Sequence, residues 1–284
     1  MTALEKEQRL IQQLKETNKL AIAYSGGVAS SYLLHTALNV LGPRNILAIV
    51  MNSELISDEE FNEALDLAEA MGANVLGLEM SELSQPKIAT NTSVSLYYSK
   101  KMLYQTIHAA AIEEGFPVLA DGMIMDNKED FQLGLKARDE EGIISFLQEA
   151  DLYEEDVRQL AKEAGLSNWN RNSLWSLANR FPRGKKLTLS DIEKVFEGEK
   201  YLREIGFPIV RLHSENEEAR IEVPEQHLLP LVEKKEAIIA HIKQLGFSHV
   251  SIDLEGFHYE RESKKRTIQR LSLIHISEPT RRRG

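Results

Sequence analysis

The chain has no cysteine among its 284 residues. That absence excludes disulfides, thiolate zinc sites, iron–sulfur clusters and cysteine nucleophiles. Long apolar runs are missing too, since none approaches the roughly 20 residues of a membrane span. Nor is there an excess of positive charge: 34 Lys and Arg stand against 44 Asp and Glu, a formal charge of −10. A nucleic-acid surface needs clustered Lys and Arg, and the two short basic clusters, Arg183–Lys186 and Lys264–Arg266, read as solvated surface. Neither nucleic acid nor membrane is an expected partner. The first residues, MTALEKEQRLIQQLKE, are charged and helix-patterned rather than a signal peptide, so a cytoplasmic location is expected.

What is present describes an ordinary globular protein, large enough for one large domain or two smaller ones. Leu4–Glu16 carries apolar residues at helical spacing. LAIAY (20–24) and ILAIVM (46–51) are short apolar runs of the kind buried in parallel sheets, and Asn74–Leu78 and Phe116–Ala120 read as further strands. Between them lie helix patterns at Tyr32–Leu41, at Ser57 onward with a capping box to Glu60, and at about 95–114. Strands alternating with helices predict a parallel, doubly wound α/β sheet. Residues 122–150 read as an acidic loop followed by a short helix, and Glu154–Ala164 as another helix.

From about Arg183 the pattern changes. A helix over Ser190–Ile205, capped by Ser190 with Glu193, precedes ARIEVP, a helix near Leu231–Leu245, and SHVSIDL. Alternating polar and apolar residues in these strands predict a smaller α+β domain. The expected division is 1–180 and 181–260, followed by a tail. Its last stretch, 270–284 (RLSLIHISEPTRRRG), looks like translated adapter sequence and carries no functional expectation.

SGG at 25–27 sits between the first strand and a helix. A glycine pair there lets successive N–H groups face one concavity, where the helix dipole favours a phosphate. The loop lacks both the Walker A lysine and GxGxxG spacing. Alone, it is weak evidence, and a tight structural turn is the commoner explanation.

The wider sequence carries more. Strand–SGG–helix resembles the PP-loop, SGGxDS, of the ATP pyrophosphatases. NSELISDEEF (52–61), YYSKKM (97–102), LADGMI (119–124), GLKAR (134–138), LQEADLYEEDVRQLA (147–161), NRFPRGKKLT (179–188), EKYLREIGFPIVR (199–211), ARIEVP (219–224) and LGFSHVSIDLEGF (245–257) run in order along the chain. Together they resemble the LarE-like ATP-dependent sacrificial sulfur transferases. The resemblance implies ATP and Mg²⁺ as cofactors, and adenylation of a carboxylate of a pyridinium dicarboxylate mononucleotide with pyrophosphate release. A protein cysteine then donates its sulfur, in the making of a nickel-pincer cofactor. It also implies a homo-oligomer.

Carried over by residue, the resemblance assigns Ser25, Gly26, Gly27, Ser30, Asp121 and Gly122 to the nucleotide. It assigns Lys101, Arg180 and Arg211 to substrate or phosphate, and Glu199 and Glu222 to a metal. Departures fall on the chemistry. Ala29 stands at the PP-loop aspartate and Trp175 at the sacrificial cysteine, so no catalytic residue is assigned. Gln132 stands where an arginine is usual, and His213, Arg183 and His258-Tyr259-Glu260 also depart from the pattern. Three readings stay open: an ATP-binding adenylating enzyme with an external nucleophile, a degenerate nucleotide-binding or assembly subunit, and an ammonia-using amide synthetase.

Overall fold

The computed structural model describes residues 1–127, 132–171 and 176–256. The expectations attached to Trp175, His258, Tyr259, Glu260 and the tail lie outside these residues. Contacts divide the chain into two compact units, 1–193 and 194–284. The division falls inside one helix rather than at the expected 180/181.

The first unit opens with α1 (Ala3–Lys15), capped by Thr2, and β1 (Leu20–Tyr24). It continues through α2 (Val28–Leu41), β2 (Ile46–Asn52), α3 (Asp58–Ala70) and β3 (Asn74–Glu79). Then come the short α4 (Pro86–Ala89), α5 (Ser95–Glu113) and β4 (Val118–Asp121). Two helices, α6 (Gln132–Glu140) and α7 (Phe146–Glu149), stand where one short helix was expected. α8 (Glu154–Glu163) completes this set.

The four strands are parallel, in the order β3-β2-β1-β4. Strand residues alternate between two apolar layers. Leu20, Ile22 and Tyr24 join α1, α2, α3 and α8 in one core, while Ala21 joins Tyr104, Ile107 and Ala111 of α5 in the other. Burial on both faces explains why β1 and β2 read as unbroken apolar runs instead of alternating ones. The expected capping box of α3 is present: Ser57 Oγ accepts the Glu60 N–H at 2.9 Å, and the Glu60 carboxylate accepts the Ser57 N–H at 3.4 Å.

The helix α9 (Leu189–Glu204) is capped differently from expectation. Thr188 Oγ1 accepts the Asp191 N–H at 3.2 Å and donates to the Asp191 carboxylate at 2.8 Å, so the cap lies at Thr188 and not at Ser190. The rule of a hydroxyl three residues before an acid fits both positions, and backbone geometry selects the earlier one.

The second unit is built on a three-stranded sheet, β5 (Arg211–Glu215), β6 (Glu218–Glu222) and β7 (His249–Ile252). β5 and β6 form an antiparallel hairpin and β7 is parallel to β6. The hairpin turns at Asn216 and Glu217, both at positive φ (46° and 65°). Such a turn usually carries glycine. The single helix expected near 231–245 is two, α10 (Leu228–Glu233) and α11 (Lys235–Gln244), parted at Lys234.

Leu212, Ala219 and Ile221 turn inward, and the other sheet face carries a charged group. There His213 Nε2 lies 3.0 Å from the Glu222 carboxylate, Arg220 pairs with it at 3.0 Å, and Arg220 also pairs with Asp253. Burial pushes the Glu222 carboxyl up, but His213, Arg220 and Arg211 outweigh it and hold the group below its ordinary value. A depressed carboxyl stabilises the fold above the carboxyl's unfolded titration range, and that contribution disappears as pH falls through the folded value. Glu222→Gln should therefore lower stability at neutral pH by about 1–2 kcal/mol, the scale of a charged hydrogen bond. The gap from the parent should close on acidification, as read by urea denaturation over about pH 3 to about pH 8.

Candidate nucleotide site

The strand order places a topological switch at β1. The chain proceeds from β1 to β2 and β3 on one side, then crosses back to lay β4 against the other side of β1. In open α/β sheets, ligands occupy the crevice beyond the carboxyl ends of the strands at such a point. Ser25-Gly26-Gly27 follows the end of β1, and Gly122 follows the end of β4, with Ala23 and Asp121 paired in register. Two widely separated stretches assigned to the nucleotide thus meet at one edge.

Gly27 is the N-cap residue of α2, and no side chain caps it. The first N–H groups of a helix have no intrahelical acceptor, and its dipole adds positive potential there. The loop is wired from within. Ser30 Oγ donates to the Gly27 carbonyl at 3.1 Å, lies 3.2 Å from Ser25 Oγ, and accepts the Ser25 N–H at 3.4 Å. Ser30 is buried, so its hydroxyl shapes the turn from below.

Two of the three assigned glycines, Gly26 and Gly122, are required by contact. Gly26 has φ +72°, and a Cβ there would sit 3.0 Å from Ala64 Cβ on α3. A Cβ on Gly122 would come within 2.8 Å of the Ser30 backbone nitrogen. Ala29, in the first turn of α2, is half-buried and packs against the core. A methyl group there offers neither charge nor oxygen to a metal-bound phosphate.

Asp121 is buried, and its carboxylate is fully engaged. Tyr104 Oη and Ser145 Oγ each donate to it at 2.6 Å, and the Met123 N–H at 3.1 Å. Burial, with the Asp121 charge adding to it, pushes the Tyr104 phenol well up and keeps it a donor. In this geometry Asp121 shapes the end of β4 and presents Gly122 to the crevice. Arg138 extends the network to Ser145 at 3.0 Å and to Gln148 at 2.6 Å.

The remaining assigned residues lie elsewhere. Lys101 pairs with Glu140 at 2.6 Å and Glu141 at 3.8 Å on the α5–α6 surface, and Tyr97 Oη donates to the same Glu140 at 2.5 Å. The Glu140 hydrogen bond first, and then that of Tyr97, raise the Lys101 ammonium well above its ordinary value. Arg180 is buried in the turn Leu177–Arg180 of the first unit. Arg211, Glu199 and Glu222 belong to the second unit. The buried Glu199 accepts the Leu212 N–H at 2.9 Å and lies 3.6 Å from Arg203. Among the described residues, no three His, Cys, Asp or Glu are gathered to hold a metal ion.

Three polar residues escaped the motif reading. Asn168, just after α8, donates from Nδ2 to the Gly26 carbonyl at 2.9 Å and to Ser31 Oγ at 2.8 Å, and Ser31 Oγ lies 2.8 Å from Tyr24 Oη. Their signal is weak, since Tyr24 and Ser31 sit inside apolar patterns and Asn168 inside a polar turn. A cleft of about 680 Å³ opens at the other end of the sheet, by Lys19 and Val118, away from the loop.

Gly122→Ala is expected to cost about 1–3 kcal/mol in urea denaturation, because the new methyl meets helix backbone that cannot swing aside. It should weaken ATP binding as well, measured by calorimetry on the folded variant.

Comparison with known proteins gives the family. The NAD synthase family profile matches residues 4–100, which hold β1, the loop and α2. The pyridinium-3,5-bisthiocarboxylic acid mononucleotide synthase of Lactiplantibacillus plantarum is 43% identical over 273 residues, covering 96% of this chain and 99% of its own. An uncharacterized protein of Synechocystis is 32% identical over 254 residues, covering 89% of this chain and 94% of its own. An NH3-dependent NAD+ synthetase of Hyperthermus butylicus is 24% identical over 153 residues, covering 52% of this chain and 54% of its own. The four-stranded parallel sheet, its loop at the switch point and the near full-length similarity agree: the chain belongs to the LarE-like family of PP-loop ATP pyrophosphatases, alongside the pyridinium-3,5-bisthiocarboxylic acid mononucleotide synthase.

Proposed function

We propose that this protein binds ATP at the Ser25–Ser30 loop and adenylates a carboxylate of a pyridinium dicarboxylate mononucleotide, in the making of a nickel-pincer cofactor. The observation that carries this reading is the wired loop at the β1/β4 switch point, in a chain 43% identical to a synthase of a pyridinium bisthiocarboxylate mononucleotide. The α-phosphate would be attacked by the carboxylate oxygen, forming an acyl–adenylate and releasing pyrophosphate. The loop N–H groups would hold the departing phosphates, where charge accumulates. Mg²⁺ carried on the nucleotide would supply positive charge to the phosphates held by the Ser25–Ser30 loop.

Sulfur must come from outside the polypeptide, because the chain has no cysteine. Hydrosulfide or a donor of equivalent chemistry would attack the activated carbonyl, displacing AMP and leaving a thiocarboxylate. Adenylation makes this feasible at neutral pH by turning a poor leaving group into a good one.

Ala29 favours a second reading, in which the loop binds nucleotide without turning it over and the chain serves as a nucleotide-binding or assembly subunit. Loss of a charge that stabilises phosphoryl transfer typically costs two to three orders of magnitude, on the scale of about 3–4 kcal/mol. Pyrophosphate release from purified protein with Mg-ATP and the pyridinium dicarboxylate separates the two. Release dependent on the dicarboxylate is expected from an adenylating enzyme, and clear ATP binding without release would leave the subunit reading standing. Under the adenylation reading, Ala29→Asp should raise the release rate about tenfold or more with ATP affinity changed far less. An unchanged rate would show that position 29 is not where activity is limited.

A further inference from the structure

We infer that Asn168 is a positioning residue that sets the phosphate-binding loop before any nucleotide arrives. This rests on the reading of Ser25–Ser30 as the nucleotide site. The peptide between Gly26 and Gly27 is planar and trans, so its carbonyl and its N–H point in opposite directions. Asn168 Nδ2 holds that carbonyl at 2.9 Å, on the protein side of the loop. The Gly27 N–H is thereby turned to the opposite side, where it makes only a long hydrogen bond to Ser25 Oγ at 3.4 Å, a contact that a phosphate oxygen would replace. A free glycine pair has no such preference, because Gly26 at φ +72° rotates with little steric penalty.

The amide has one workable orientation. Its second donor goes to Ser31 Oγ at 2.8 Å, and that oxygen is also in contact with Tyr24 Oη at 2.8 Å. Flipping the amide would set its oxygen against the Gly26 carbonyl oxygen. Asn168 is 7% exposed, so water is a poor substitute partner at this point.

Asn168 is itself anchored on the frame that supports the loop. Arg158 on α8, held by Glu154 at 2.8 Å, donates to the carbonyls of Trp169 at 3.2 Å and Arg171 at 3.0 Å. Arg171 pairs with Glu63 on α3 at 2.6 Å, next to the Ala64 that packs on Gly26. Two helices therefore hold the segment carrying Asn168, and one of them also touches the loop.

The test measures binding of ATP, inorganic pyrophosphate and adenosine by calorimetry, for the parent and for Asn168→Asp and Asn168→Ala, with thermal melting to confirm the folded state. Asn168→Asp keeps the shape and replaces a donor with an acceptor, and Asn168→Ala removes the group without repulsion. Both are expected to weaken ATP and pyrophosphate about tenfold or more while leaving adenosine within about twofold, since only phosphates use the loop. Parent-like ATP affinity in either folded variant overturns the role of Asn168. So does equal weakening of all three ligands, which marks a general structural effect. Absence of ATP and pyrophosphate binding in the parent overturns the nucleotide-site reading itself, and the positioning role with it.

Discussion

The structure depends on a steric constraint at the edge of one sheet. With β1 between β2 and β4, the turns that follow β1 and β4 are forced into the same space. The chain accommodates this by removing side chains. Gly122 lets the end of β4 lie against the Ser30 backbone, and Gly26 lets the loop lie against Ala64. The buried carboxylate of Asp121, engaged by Tyr104, Ser145 and the Met123 N–H, keeps the β4 side of this contact in place. Removal of any one part would loosen the contact that aims α2 at the crevice.

Much of this was legible in the sequence, for a physical reason. Strands buried on both faces must be apolar throughout, so LAIAY and ILAIVM announced a covered parallel sheet, and Ser57 with Glu60 announced a helix start. The glycine pair announced a turn that only glycine makes easily. The second unit was harder. RLHSE is short and mostly polar, and its hairpin turns on Asn216-Glu217 without the glycine that usually marks one, so β5 went unread. The break at Lys234 interrupts a pattern that is helical on both sides.

The network around the loop was illegible for another reason. Hydrogen bonds between residues far apart in sequence leave no periodicity. Asn168 reaches Gly26 across more than half the first unit, and Tyr104 and Ser145 approach Asp121 from opposite directions along the chain. Family resemblance marks residues by position, and it assigned Asp121 to the nucleotide and Lys101 to substrate or phosphate. In the fold, Asp121 is surrounded by donors from its own chain and Lys101 by carboxylates on the α5–α6 surface.

The serine wiring of the loop has a thermodynamic consequence. Ser25 and Ser30 already hold each other, and the Gly27 carbonyl is already occupied by Ser30. A flexible glycine loop surrenders conformational entropy when an anion orders it. Here that loss is incurred while the chain folds, so arrival of a phosphate need not draw on binding energy to shape the turn. A rigid cradle also discriminates by spacing. It favours a tetrahedral oxyanion over a planar carboxylate of equal charge, because its donors do not move to meet the wrong shape.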